Sequence, residues 1–189
     1  MQKQLEWSAP RGFLAFDTSD VSAEWCARTA EEIAPGNELF AADLAGAVTR
    51  CLERDADPQS WLVVIAEHPD QPPRIVATGD LEVGPALDVA EMVRSWTDQL
   101  AELGPRAGEA TLVPSRRAPA AVLRMVELVT DDDGGEHYVE TGKILKTFPR
   151  LGVTGAISVS ARSLVTFGDL TELLKEASTD FEITEAAHG

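Results

Sequence analysis

Positions with helical spacing recur in four stretches of this chain. Between Ser22 and Ala34 the spacing sets Trp25, Thr29 and Ile33 on one face, and Pro35-Gly36-Asn37 interrupts it. Glu38 to Arg54 carries a second stripe of Phe40, Leu44, Ala47, Val48, Cys51 and Leu52. The short break between them predicts an αα-hairpin over residues 22–54, closed by Asp55-Ala56-Asp57-Pro58. After Gly84-Pro85, Val89, Val93, Trp96, Leu100 and Leu103 recur at steps of three and four residues until Gly104-Pro105 ends the pattern. The last helix opens on Asp169-x-x-Glu172, which resembles a capping box, and its stripe is Leu170, Leu173, Leu174, Ala177 and Phe181.

Between these helices the period changes. Gly12 to Phe16 is a short apolar run that predicts an early strand, and Trp61 to Ala66 is a continuous one, as expected of a central strand buried on both faces. His68 to Pro73 reads as a loop because its prolines lack ladder donors, with Arg74 to Val83 as the returning strand. Glu109 to Val113 and Ala120 to Val129 flank a break at residues 114–119. Tyr138 to Thr147 then returns across the turn Asp131-Asp132-Asp133-Gly134-Gly135. From Leu151 to Ala161 the alternation is clean, with Val153, Ile157 and Val159 on one side and Thr154, Ser158 and Ser160 on the other. The elements predict one α+β domain over residues 1–189 with a mainly antiparallel sheet. Within it, residues 61–181 form the sheet and its packing helices, and 184–189 a flexible tail.

Composition narrows the class. Apolar residues are 44% and charged residues 25% of the 189, which is ordinary globular usage. The start, Met1 to Trp7, has no apolar h-region, and no later run approaches the roughly 20 apolar residues of a membrane span, so a cytoplasmic location without membrane contact is expected. A net charge of −16 repels phosphate backbones and disfavours nucleic acid. The charge is uneven: residues 116–168 are close to neutral, while the rest of the chain is strongly acidic. Arg116, Arg117, Arg124, Lys143 and Lys146 are therefore candidate contacts for an anionic group or an acidic partner, or else ordinary solvent-facing strand positions. Lysine is scarce beside arginine and alanine, as in proteins of high-GC genomes such as those of actinobacteria, or of a salt-adapted proteome.

Candidate chemistry is sparse. Phe16-Asp17-Thr18-Ser19 resembles the Asp-Thr-Gly/Ser signature of aspartic proteases, but it occurs once, and Asp17 or Ser19 also suits a turn or helix cap. His68, His137 and His188 show no metal-binding spacing. The acidic turn with Glu136 and His137 could gather around a hard cation, though it lacks the alternation of a calcium loop and reads as a solvated hairpin tip. Cys26 and Cys51 lie on the two arms of the helical hairpin and are either free thiols or a disulfide. Trp61 and Trp96 sit on apolar stripes and suit the core, while Trp25 or Trp7 could anchor a partner. Nucleophile-elbow, phosphate-loop and dinucleotide motifs are missing, and Gly152-Val153-Thr154-Gly155 reads as strand with a close backbone approach. No catalytic residue, cofactor or metal ligand is assigned.

The element order from Ala86 to Phe181, with its acidic Gly-rich hairpin tip and a last helix after the alternating strand, resembles the PsbP-like α/β/α sandwich. It is similar in that order to the small actinobacterial lipoproteins of the LpqN type. The resemblance implies a binding or accessory module and assigns a role to no individual residue. The expected function is thus a non-enzymatic accessory factor, chaperone-like or toxin-neutralising, whose acidic surface masks a basic protein partner; a homo-oligomer is compatible with this. The alternative is a small-molecule binder or enzyme whose pocket gathers sequence-distant residues around Arg116, Arg117 and Arg124.

Overall fold

Each helix begins where a short polar side chain can hold its first free amides. In the computed structural model, Ser22 Oγ accepts from Trp25 N at 3.1 Å to start α1 (Ala23–Ile33), and Asn37 Oδ1 accepts from Phe40 N at 3.0 Å to start α2 (Glu38–Glu53). Asp88 Oδ1 accepts from Ala90 N at 2.9 Å and Glu91 N at 3.1 Å to start α3 (Val89–Leu103). Asp169 does the same for α4 (Leu170–Thr179) through Glu172 N. The expected capping box is only half made, because the Glu172 carboxylate turns to Lys175 Nζ at 2.7 Å. That ion pair raises the Lys175 pKa, chiefly through the hydrogen bond from the ammonium.

The structure describes residues 3–7, 13–17, 21–53, 60–68, 71–104, 106–130, 133–161, 167–179 and 181–185. Its strands are β1 (Lys3–Trp7), β2 (Phe13–Asp17), β3 (Ser60–His68), β4 (Gln71–Pro85), β5 (Gly108–Val113), β6 (Ala120–Thr130), β7 (Glu136–Phe148), β8 (Val153–Ala161) and β9 (Phe181–Glu185). Seven of them form one sheet in the order β2-β3-β4-β8-β7-β6-β5, with every pairing antiparallel. The protein is thus α+β with an antiparallel sheet. No helix among the described residues is long and apolar enough to cross a membrane.

Strand alternation places helices on both faces. Ile144, Ile157, Val159 and Val122 pack with Leu170 and Leu174 of α4, whereas Leu145, Ala156, Ala121 and Leu123 pack with Val89, Trp96 and Leu100 of α3. At the other end of the sheet, Phe13 joins the α4 core, while Leu14 and Phe16 turn to the opposite face and pack with Phe40 and Leu44 of α2. The α4 layer is the best buried: Ile144, Ile157, Leu170, Leu174 and Phe181 are fully enclosed, each contributing about 1.5–3 kcal/mol by burial.

Three expectations need correction. Phe181 does not continue the last helix but opens β9, which pairs with β1 from Trp7↔Phe181 to Lys3↔Glu185. Thr184 and Glu185 are therefore strand residues rather than a fraying tail, and residues 186–189 lie outside the described residues. The expected loop from His68 to Pro73 is also mostly strand: pairing passes from His68↔Gln71 to Ala66↔Arg74 across a register irregularity, and Pro72 and Pro73 take no place in the register.

Two polar devices hold the α4 side and the β4–α3 connection. Lys146, buried on the α4 face, donates to Thr179 O at 3.3 Å and to Phe181 O, and so satisfies carbonyls at the negative end of α4. On the other face Thr147 Oγ1 donates to Leu87 O at 2.8 Å and accepts from Thr154 Oγ1 at 2.7 Å. Thr154 Oγ1 in turn accepts from Leu87 N at 2.9 Å. With this assignment each hydroxyl proton is used once and the ring closes.

Phe181 reaches its site only because Gly155 lacks a side chain: a Cβ there would fall on the Phe181 ring and stand 3.0 Å from Ile183 Cδ1. Gly155→Val is expected to lower unfolding free energy in urea by about 1–3 kcal/mol through overpacking. Gly84→Ala, which meets nothing within 4 Å, should stay within about 0.5 kcal/mol of the parent.

Candidate functional site

β6 and β7 outrun their neighbours. They pair with each other from Ala120↔Lys146 out to Thr130↔Glu136, yet β5 reaches only Gly108↔Met125 and β8 only Glu140↔Ala161. Residues 127–130 and 136–139 therefore form an arm whose described strand pairing is with itself alone. Leu128 and Tyr138 are direct cross-strand partners on it, on the α4 side of the sheet, and are 55% and 54% exposed. Val129 is exposed on the opposite side, and Glu127, Asp133 and Glu136 surround these apolar groups with open carboxylates. A cross-strand aromatic–aliphatic pair normally helps hold a sheet by facing its core. This one faces outward.

At the root of the arm, on the same face, the environment inverts. Glu140 is fully buried, and its Oε1 accepts from Arg124 Nε at 2.7 Å. Arg124 is partly exposed, so the pair joins an enclosed carboxylate to a guanidinium at the surface. Glu140 Oε2 has no donor among the described residues, and the buried Thr171 Oγ1 in the first turn of α4 is likewise unpartnered. That turn lies on the adjacent stretch of β7, since a Cβ on Gly142 would stand 2.8 Å from Leu174 Cδ1 and 3.1 Å from Leu170 Cδ2. The carboxylate thus sits between the positive end of α4 and the apolar pair of the arm.

The basic residues singled out from sequence are not gathered here. Arg116 and Arg117 are exposed on the β5–β6 turn, at the end of β6 away from the arm; Ser115 Oγ accepts from Arg117 N and Ala118 N at 3.3 Å each. Arg124 is committed to Glu140. Lys143 is half-buried on the α3 face and Lys146 is enclosed on the α4 face, so alternation separates them. Trp25 is half-buried, its ring 5.3 Å from that of Phe16 at 51°, which makes it part of the α1–α2 core. Glu140 was missed as a candidate, although its spacing from Ile144 puts it on an inward position. Leu128 and Tyr138 were missed because only the lengths of β5 and β8 show that no described strand flanks them.

Among the described residues no group of three or more His, Cys, Asp or Glu side chains could hold a metal ion. Asp131, Asp132, Thr18, Ser19 and His188 lie outside the described residues, as do the side chains of Asp17, His68, Cys51, Trp7 and Trp61. A shallow, open depression of about 540 Å³ lies between the α1–α2 turn and Pro73, with the exposed Leu39 on its rim. Cys26 is buried and unbonded, and burial pushes its thiol pKa up. No family model, curated protein or solved structure matches this chain.

Two outcomes follow from the buried groups. Arg124→Met strands the Glu140 carboxylate and should destabilise the fold by about 3–5 kcal/mol in urea unfolding. Joined with Glu140→Leu, it should recover most of that loss. Cys26 should react with iodoacetamide far more slowly in the folded than in the unfolded chain at pH 8, by peptide-resolved mass spectrometry. The folded state holds this proton more tightly. Its contribution to stability is full below the unfolded thiol pKa and is lost as pH rises through the folded one.

Proposed function

We propose that this protein is a non-enzymatic accessory factor, chaperone-like or toxin-neutralising, that acts by holding another protein. The observation that carries this reading is the β6–β7 arm, where Leu128, Val129 and Tyr138 are exposed together beyond the packed sheet and are rimmed by carboxylates. Apolar groups rimmed by charge favour partner contact, because their burial on association is favourable while the rim sets orientation and rejects wrong partners. A net charge of −16 supports a basic protein partner and weighs against nucleic acid and anionic membranes. A cytoplasmic location belongs to the same reading, supported by the unbonded thiol of Cys26. So does the PsbP-like resemblance, which helices on both faces of an antiparallel sheet support.

The test is affinity capture with the full chain from its own cells, followed by size-exclusion chromatography of the recovered complex. A defined protein retained in constant ratio is the expected result. If no partner stays bound while a small metabolite raises the unfolding temperature, the accessory reading fails in favour of a ligand-binding protein or enzyme.

A further inference from the structure

We infer, on the footing of the protein-binding reading above, that the outer edge of β6 from Glu127 to Thr130 receives an extended segment of a basic partner. Along that segment apolar side chains alternate with Lys or Arg. The direction of the edge is set by Val126, whose N–H donates to Ala107 O at 2.7 Å on the β5 side. Main-chain groups of a strand point the same way at every second residue. Leu128 and Thr130 therefore present their N–H and C=O groups outward past the end of β5, where no described strand meets them. An added strand would lie about 4.8 Å away and continue the sheet.

The same phase makes Val126↔Glu140 and Leu128↔Tyr138 the closely spaced, non-hydrogen-bonded pairs of β6 and β7. Their side chains form one continuous strip on the α4 side, apolar at its outer end and acidic at its root. Every second side chain of the incoming segment would face this strip, and an apolar one is wanted beside Leu128. Its alternate side chains meet the arm's other face, where Val129 and Val139 are flanked by Glu127.

Charge selects among occupants. Glu127, Asp133 and Glu136 are exposed on the arm, whereas Glu140 at the root of the strip is enclosed and paired with Arg124. The exposed carboxylates favour a cationic segment and disfavour an acidic one. A second copy of this chain is disfavoured on the same ground, since its own carboxylates and net charge of −16 would oppose these.

The probe is a fluorescently labelled synthetic peptide alternating Lys and Val, titrated by anisotropy against the full chain at low salt. Leu128→Ser with Tyr138→Ser leaves the net charge unchanged and should weaken binding at least tenfold. Thr130→Pro removes an outward N–H that the β6–β7 ladder does not use, and should weaken it several-fold. Glu127→Gln with Glu136→Gln should cost more affinity than Glu91→Gln with Glu102→Gln, which removes the same charge from α3. A peptide with Glu in place of Lys should not bind. Undiminished affinity in the Leu128/Tyr138 and Thr130 variants, checked as folded by circular dichroism, would show attraction by charge alone and overturn the inference. A dimer of the parent chain that Leu128→Ser with Tyr138→Ser dissolves would give the edge to a second copy and also overturn it. A cellular partner whose capture survives these variants would leave the accessory function standing and remove this edge as its site.

Discussion

β7 is held on four sides along its middle, and beyond Glu140 its described strand pairing is on one side. From Glu140 to Lys146 it has β6 and β8 as neighbours, α4 over its even positions and α3 over its odd ones. From Glu136 to Val139 its described strand pairing is with β6 alone. Glu140 marks the change. A carboxylate at the last inward position of a packed strand costs a great deal unless it is paired, and Arg124 pairs one of its oxygens from the neighbouring strand. The other oxygen has no donor among the described residues, at the boundary between packed sheet and open arm.

Behind that boundary the molecule is tied together by contacts between sequence-distant parts. The Lys146 ammonium reaches carbonyls at Thr179 and Phe181, which fixes the end of α4 and the start of β9 to the middle of the sheet. Phe181 stands edge-on to Phe148, with centroids 6.1 Å apart, in the space that Gly155 leaves open. On the other face the Thr147–Thr154–Leu87 ring fixes the entry to α3. Beyond the boundary Leu128, Val129 and Tyr138 of the arm are exposed rather than packed.

Much of this platform was legible in the sequence. The periodic stripe of α3, that of α4 as far as Ala177 and the alternation of β8 from Val153 each rest on local pattern, and each appears where the pattern puts it. The β1–β9 ribbon was not legible, because Lys-Gln-Leu-Glu-Trp and Phe-Glu-Ile-Thr-Glu are short and find each other only across the whole chain. Phe181 also lies four residues beyond Ala177, which suits a helix as well as a strand. The basic residues between 116 and 168 looked like one face in sequence because linear proximity says nothing of side. Alternation sends Lys143 and Lys146 to opposite layers, and pairing takes Arg124 out of solvent competition. Exposure of Leu128 and Tyr138 depended on where two other strands stop, which no property of these residues encodes.

The most direct measurement is amide hydrogen exchange of the full chain, read residue by residue by NMR. Protection should be highest in the centre of the sheet, at Ile144, Ile157 and Val159, and should fall sharply beyond Met125 on β6 and before Glu140 on β7. The outward-facing amides of Leu128 and Thr130 should exchange fastest in β6. Protection at those two amides equal to that of the sheet centre would mean that the edge is already occupied, and would contradict the account.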